Sequence, residues 1–198
     1  ALIAAAKTDL EKATTLNRNQ AGAFATLSHL YNNFPSSTST DVLLAAQRAY
    51  EADEFLSEAE AVLGRLFLAS YDLGQDDKAD QWCTEARRRF PSGLRSARCQ
   101  LFLLTTKSRA PEIALAWRIA DSVAALAPPP QRQYYRFNSD MLVAAVIARA
   151  SKTTPALADS ARRVAKRSEG DATIDPNRDL SLYGAIAYTL LGDNAEAV

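Results

Sequence analysis

The strongest constraint on the fold of this chain is a pattern of small residues that returns about every 37 residues. Ala79, Cys83 and Ala86 occupy positions i, i+4 and i+7 of an amphipathic stretch, and Pro91 follows five residues later. Three other stretches keep the same offsets: Ala116, Ala120 and Val123 before Pro128; Val42, Ala46 and Ala49 before Glu54; Ala6, Leu10 and Ala13 before Arg18. The terminal positions 18, 54, 91 and 128 are separated by 36, 37 and 37 residues. Such regular spacing predicts a repeated structural unit.

A second series of amphipathic stretches alternates with the first. Its apolar residues also follow the spacing of one helix face. They are Phe24, Leu27 and Tyr31; Leu63, Leu66, Phe67 and Leu73; Ala97, Leu101 and Leu104; Tyr134, Phe137 and Met141; Tyr183, Ala187 and Tyr188. Proline, glycine and short polar segments separate the two series. The sequence therefore predicts an all-α chain of about ten helices, in which helix hairpins stack because one hairpin cannot bury its apolar face alone.

The two series together resemble the tetratricopeptide repeat. The best match to that family's first helix is Phe24 to Tyr31, and the best match to its second helix is Ala79 to Pro91. The resemblance implies a right-handed superhelical solenoid of antiparallel helix hairpins. Its concave face, formed mostly by the first helices, would hold peptides or partner helices. On this basis residues 1–198 form a single repeat domain of about five hairpins, a fragment of a longer chain, with units at 1–18, 21–54, 57–91, 94–128, 131–170 and 178–198.

The family's inward-facing positions, transferred onto this sequence, give a candidate groove. Its residues are His29, Asn32, Arg65, Arg95, Arg98, Arg132, Tyr135 and Arg136. Arginine presents a planar fork that binds carboxylates in bidentate fashion, so the row of arginines predicts an acidic peptide or a C-terminal carboxylate as ligand. The alternative is that these arginines simply form solvated helix faces, as most arginines do.

Charge and hydropathy exclude two other classes of partner. The chain has 23 basic and 23 acidic residues, so no strong field attracts nucleic acid. The triple arginine Arg87 to Arg89 lies near the end of a predicted helix, where the helix dipole favours cations. The longest apolar run, Met141 to Ala148, is too short to span a bilayer, so we expect no membrane insertion of this segment.

The two cysteines and the single histidine give no indication of an active site. Cys83 and Cys99 form no CxxC pair, and neither has a histidine nearby to complete a metal site. We expect both to be reduced core thiols, although a disulfide is possible if neighbouring helices bring them together. Unpaired cysteines favour a cytoplasmic location.

The pattern of residues favours binding over catalysis. No phosphate-binding loop, nucleophile elbow or pair of carboxylates at a defined separation is present, so we expect no enzyme, no cofactor and no metal. The favoured function is a protein–protein interaction scaffold. The alternative is a regulatory or sensory region of a larger bacterial signalling protein, a Ser/Thr kinase or a transcription regulator, because the alanine- and arginine-rich repeats are similar to those appended to such proteins.

Overall fold

The chain is all-helical in a computed structural model that describes residues 2–197, as the sequence predicts. No strand occurs within that range. Along residues 2–197 ten α-helices follow one another: α1 Leu2–Leu16, α2 Ala21–Asn32, α3 Ser39–Ala52, α4 Ala59–Asp72, α5 Asp76–Arg89, α6 Leu94–Leu103, α7 Ile113–Leu126, α8 Arg132–Ser151, α9 Ala158–Arg167 and α10 Asp179–Leu191. Short 3₁₀ turns at Pro129–Gln131 and Pro155–Leu157 precede α8 and α9.

Local sequence signals set several helix ends. Thr38 and Asp41 form a reciprocal capping box at the start of α3, in which each side chain accepts a hydrogen bond from the other residue's backbone N–H. Asp175 accepts hydrogen bonds from the backbone N–H groups of the first two residues of α10. Gly192 adopts the left-handed conformation directly after α10, with φ of 79°, which a side chain would make unfavourable.

The chain divides into two compact units, Ala1–Cys99 and Gln100–Val198, and the boundary lies within α6. In unit 1, α2 packs against α1, α3 and α4, while α4 also packs against α3 and α5. The core of unit 1 contains Leu63 and Leu66 of α4, which are completely buried, together with small residues of α2, α3 and α5.

Unit 2 is built around α8, which packs against α7, α9 and α10. Residues 138–148 of this 20-residue helix are all buried. Although α8 is the longest helix, neither it nor any other helix within residues 2–197 is long and apolar enough to cross a lipid bilayer.

The small-residue positions of the sequence pattern are buried in three of its four copies, and in α1 Ala6 is exposed while Leu10 and Ala13 are half-buried. In α3, α5 and α7 every one of these positions is at most 6% exposed. A further copy of the pattern, which the sequence analysis missed, is formed by Ala161, Ala165 and Ser168, all of them 0% exposed. It begins 45 residues after the copy at Ala116 rather than 37, because the long helix α8 lies between the two.

The expectation that Cys83 and Cys99 are reduced thiols is wrong. They form a disulfide that joins α5 to α6, with their Cα atoms 5.6 Å apart. Near the bridge, the Ser96 hydroxyl of α6 donates a hydrogen bond to the backbone oxygen of Ala86 in α5. The packing of these two helices brings together cysteines that are 16 residues apart, a proximity that the sequence spacing does not specify. The disulfide also removes the observation on which the cytoplasmic location rested, because such bonds persist mainly in oxidising compartments.

Candidate functional site

Arg65 is the most unusual of the candidate groove residues, because it is a charged side chain only 8% exposed. It lies in α4 and points toward α2. Its Nε donates a hydrogen bond of 2.8 Å to the Ser28 hydroxyl, and its Nη2 donates one of 3.3 Å to the backbone oxygen of Ala25. Both acceptors are neutral, so these bonds orient the guanidinium without balancing its charge.

The guanidinium of Arg65 still has capacity for a ligand. Of its five N–H groups, the two hydrogen bonds occupy one on Nε and one on Nη2. Within residues 2–197 its Nη1 has no hydrogen-bond partner, yet this nitrogen is not closed off from solvent. Arg65 therefore presents one open edge of a guanidinium that is otherwise held rigidly in place.

Arg95 of α6 lies beside Arg65. The Cδ atom of Arg95 is 3.1 Å from the position that a Cβ on residue 64 would take, so its aliphatic stem approaches the backbone of α4 closely where Gly64 leaves room. The side chain of Arg95 is exposed, and among the residues that the structure describes it forms no hydrogen bond or ion pair. Two cationic side chains from different helices thus converge on one place in unit 1.

The electrostatic interaction between Arg65 and Arg95 is repulsive. The pKa of Arg65 is lowered to about 10, first by burial and second by the positive charge of Arg95, against an opposing effect of Glu58. Arg65 therefore keeps its charge at neutral pH. No ion pair within residues 2–197 neutralises either arginine.

The other candidates of unit 1 lie apart from this bonding pattern. His29 and Asn32 are exposed on α2, and the Asn33 side chain donates a 2.8 Å hydrogen bond to the backbone oxygen of His29. Asn32 lines a cavity of about 330 Å³, together with Phe34 of the following loop and residues at the end of α4. Arg98 of α6 is half-buried and has interactions of its own within the protein.

The remaining candidates belong to unit 2. Arg132 and Arg136 border an open surface cavity of about 710 Å³ at the start of α8. Arg136 is already paired, since its Nη1 lies 2.6 Å from Oδ1 of Asp121 in α7. The ring of Tyr135 packs edge-on against Tyr134 at 5.4 Å between centroids. The structure therefore separates the eight candidates into a group in unit 1 and a group in unit 2.

Three residues that shape the environment of Arg65 were not predicted from the sequence. Ser28 is completely buried and orients the guanidinium, Gly64 admits Arg95, and Glu58 supplies the one acidic influence on Arg65. A glycine followed by an arginine inside a helical stretch does not by itself predict a binding site. The site arises only from the helices that pack against these two residues.

Unit 2 contains a buried charge of the opposite sign. Asp140 of α8 is 7% exposed, and its Oδ1 has no hydrogen-bond partner within residues 2–197. Its Oδ2 lies 4.0 Å from an Nη2 of Arg167, whose guanidinium stacks on the Trp117 ring at 5.6 Å from the ring centroid. Burial raises the pKa of Asp140, the charges of Arg136 and Arg167 oppose that rise, and the like charge of Asp121 adds to it.

The fold and this site define an all-helical, repeat-like protein with a cationic site between helices of unit 1. Within residues 2–197 no group of three His, Cys, Asp or Glu side chains is placed to hold a metal ion. No family model, curated protein or solved structure matches the chain.

Proposed function

We propose that this chain is a protein–protein interaction scaffold of tetratricopeptide-like helix hairpins, which holds a peptide or a helix of a partner in a groove. The observation that carries the proposal is the convergence of Arg65 and Arg95, two cations without an ion-pair partner among residues 2–197. A rigidly oriented cation with an open edge suits recognition, because its ordering cost is met before the ligand arrives.

The packing of alternate helices supports the tetratricopeptide-like arrangement. In unit 1, α2 contacts α4 as well as its hairpin partner α3, and in unit 2, α8 contacts α10 as well as α7 and α9. Contacts between first helices of successive hairpins are what a stacked repeat requires. The proposal extends this pattern to a right-handed solenoid whose first helices carry the binding residues.

The surroundings of α2 support a peptide ligand. Exposed His29 and Asn32 follow Ser28 on the helix that orients Arg65. Exposed side chains that offer hydrogen-bond donors and acceptors on the same helix match the backbone and side-chain groups of an extended peptide. The disulfide between Cys83 and Cys99 supports a working environment that is oxidising.

Selection of random peptides displayed on phage, with the whole chain as bait, tests this proposal. We expect synthetic versions of the selected peptides to bind saturably and to compete with one another, because one groove holds them. Bovine serum albumin as bait removes peptides that adhere to any protein. Failure to recover any peptide that binds the chain better than albumin would show the scaffold proposal to be wrong.

A further inference from the structure

The geometry around Arg65 points to a carboxylate-binding subsite: we propose that the open edge of Arg65 and the side chain of Arg95 together bind one carboxylate group of an acidic partner segment. This inference rests on the proposed function, since it names the chemistry of the ligand that the scaffold holds. It does not require that the rest of the groove be known.

Among residues 2–197, Arg65 has no acidic side chain in contact to balance its charge. A guanidinium 8% exposed, bonded only to the Ser28 hydroxyl and the Ala25 backbone oxygen, is a buried cation without an acid in contact. Buried charges in proteins are ordinarily paired, because the low-dielectric interior penalises an isolated charge. An anion from outside the chain supplies the pairing that residues 2–197 do not.

Arg95 lies beside Arg65 although the two charges repel each other. An arginine placed beside a buried arginine raises the electrostatic energy of both, so internal packing alone gives no reason for the arrangement. Gly64 allows the approach, since a Cβ at that position would lie 3.1 Å from the Arg95 side chain. Two guanidinium forks on either side of one anion give the bidentate contacts that carboxylates accept best.

The net charge around Arg65 and Arg95 indicates the charge of the ligand. Arg65 and Arg95 carry two positive charges, Glu58 acts on Arg65 with one negative charge and the Glu60 carboxylate lies beside Gly93 at the start of α6, so the net positive charge there is at most one. A carboxylate, as a monoanion, neutralises that charge. A phosphate dianion would leave a net negative charge beside Glu58 in a partly desolvated place. The local balance therefore favours a carboxylate over a phosphate.

Nuclear magnetic resonance of the arginine side chains tests the subsite directly. The whole chain, labelled with ¹⁵N, is titrated with acetate, with inorganic phosphate and with chloride at one ionic strength near roughly 0.1 M, so that screening stays constant. We expect the Nε–H signals of Arg65 and Arg95 to shift saturably with acetate and not with chloride. Arg87, an exposed arginine of α5, is the internal control and should not respond saturably.

Two results of that titration would overturn the inference. One is a linear, unsaturated drift of the Arg65 and Arg95 signals that matches the drift of Arg87. The other is tighter binding of phosphate than of acetate, which would replace the carboxylate with a dianion.

A matched pair of variants tests the same subsite with a peptide. The probe is a blocked tetraglutamate peptide, and blocked tetraglutamine is its neutral counterpart. We expect Arg95→Gln to weaken tetraglutamate binding by about tenfold, because one of the two cations is lost, and Arg87→Gln to leave it nearly unchanged. Arg95→Lys should restore part of the affinity, since charge returns without the bidentate fork.

The outcomes separate this inference from the scaffold proposal. If phage-selected peptides bind the chain but Arg95→Gln and Arg87→Gln bind them equally well, the subsite is wrong and the scaffold stands. If acetate saturates the Arg65 and Arg95 signals but no selected peptide binds, the subsite stands and the scaffold is wrong. Equal binding of tetraglutamine and tetraglutamate by the wild type counts against the subsite.

Discussion

Arg65 of unit 1 and Asp140 of unit 2 are buried charged side chains within helices, and the opposite charges nearby balance Asp140 better than Arg65. In unit 1 the charge that acts most strongly on Arg65 is that of a second cation, Arg95, and the opposite charge of Glu58 acts less. In unit 2 the opposite charges of Arg136 and Arg167 act on Asp140 more than the like charge of Asp121 does, and Arg167 approaches within 4.0 Å. The two charges are nearly equally buried, at 8% and 7% exposure, so burial alone does not explain the difference.

The difference teaches which charge is part of the internal structure and which is available for a ligand. Attraction to the opposite charges near Asp140 offsets part of the free-energy cost of its desolvation within unit 2. The like charge of Arg95 adds to the electrostatic cost of burying Arg65 more than Glu58 offsets it, as expected of residues kept for binding rather than for stability. The comparison makes predictions of different sizes, and the largest concerns the covalent bond that only unit 1 contains.

Loss of the disulfide should destabilise unit 1 alone. Replacing Cys83 and Cys99 by serine opens a loop of 16 residues, and we expect a loss of about 3 kcal/mol in the free energy of unfolding. Urea unfolding followed by fluorescence distinguishes the units, because Trp82 lies in unit 1 and Trp117 in unit 2. Each tryptophan is observed in a variant in which the other is phenylalanine. An equal loss at both tryptophans would show that the units do not unfold independently.

Overpacking the repeat positions should cost both units about the same. Ala86 of unit 1 and Ala120 of unit 2 are 3% and 0% exposed, so replacement by leucine should cost each unit about 1–3 kcal/mol. Exposed Gln81 of α5 and Ala114 of α7 are the matched controls, and leucine there should change stability little. Thermal unfolding measures all four variants. A large effect at a control position would mean that the buried and exposed helix faces are wrongly assigned.

Replacing the arginine that lies near each buried charge should change the free energy of unfolding in opposite directions for the two units. Arg167→Gln removes the cation that faces Asp140 and stacks on Trp117, so we expect a loss of about 1 kcal/mol. Arg95→Gln keeps the Cβ and Cγ methylenes beside Gly64 but relieves repulsion with Arg65, so we expect a gain of a few tenths of a kcal/mol in the absence of ligand.

Calorimetry in low salt measures both changes. Arg163→Gln and Arg87→Gln are controls at exposed arginines of units 2 and 1. Destabilisation by both Arg167→Gln and Arg95→Gln would remove the contrast between the two buried charges.

The smallest effect is a dependence of unit 2 on pH through Asp140. Because burial raises the pKa of this carboxyl, the folded state binds its proton more tightly than the unfolded state does. The stability that comes from this protonation is present at low pH and is lost as pH rises from about 4 through the raised pKa. The Asp140→Asn variant should lack this decline. Unfolding followed at Trp117 between about pH 4 and 7 measures it, with Asp9→Asn on exposed α1 as control.

Much of the fold could be predicted from the sequence because the pattern is local. The apolar and small residues at i, i+4 and i+7 mark the buried face of α3, α5 and α7, though not of α1. Every helix within residues 2–197 lies inside one of the six segments expected from the repeat. The copy at Ala161, Ala165 and Ser168 was missed because its spacing and its final residue depart from the other copies. Its position along the sequence depends on the length of α8, and a fixed repeat period does not predict that length.

The candidate site was predicted less completely than the fold. Transfer of inward positions found Arg65 and Arg95 but gave no reason to separate them from Arg132 and Arg136, which lie in unit 2. It also missed Ser28 and Gly64, since a buried hydroxyl or a missing Cβ acquires a role only from the helix packed against it.

The sequence by itself determined that the chain is helical, where its helices lie and which of their faces are buried, because helix periodicity and capping depend on residues within a few positions of one another. Only the tertiary structure decided that Cys83 bonds to Cys99, that Arg65 is buried beside another arginine and that Asp140 is buried opposite Arg167. Each of these depends on which side chains two packed helices bring within a few ångströms. The interaction energy of two charges is attractive or repulsive according to which side chains the packing brings together, and the spacing of residues along the chain does not specify this.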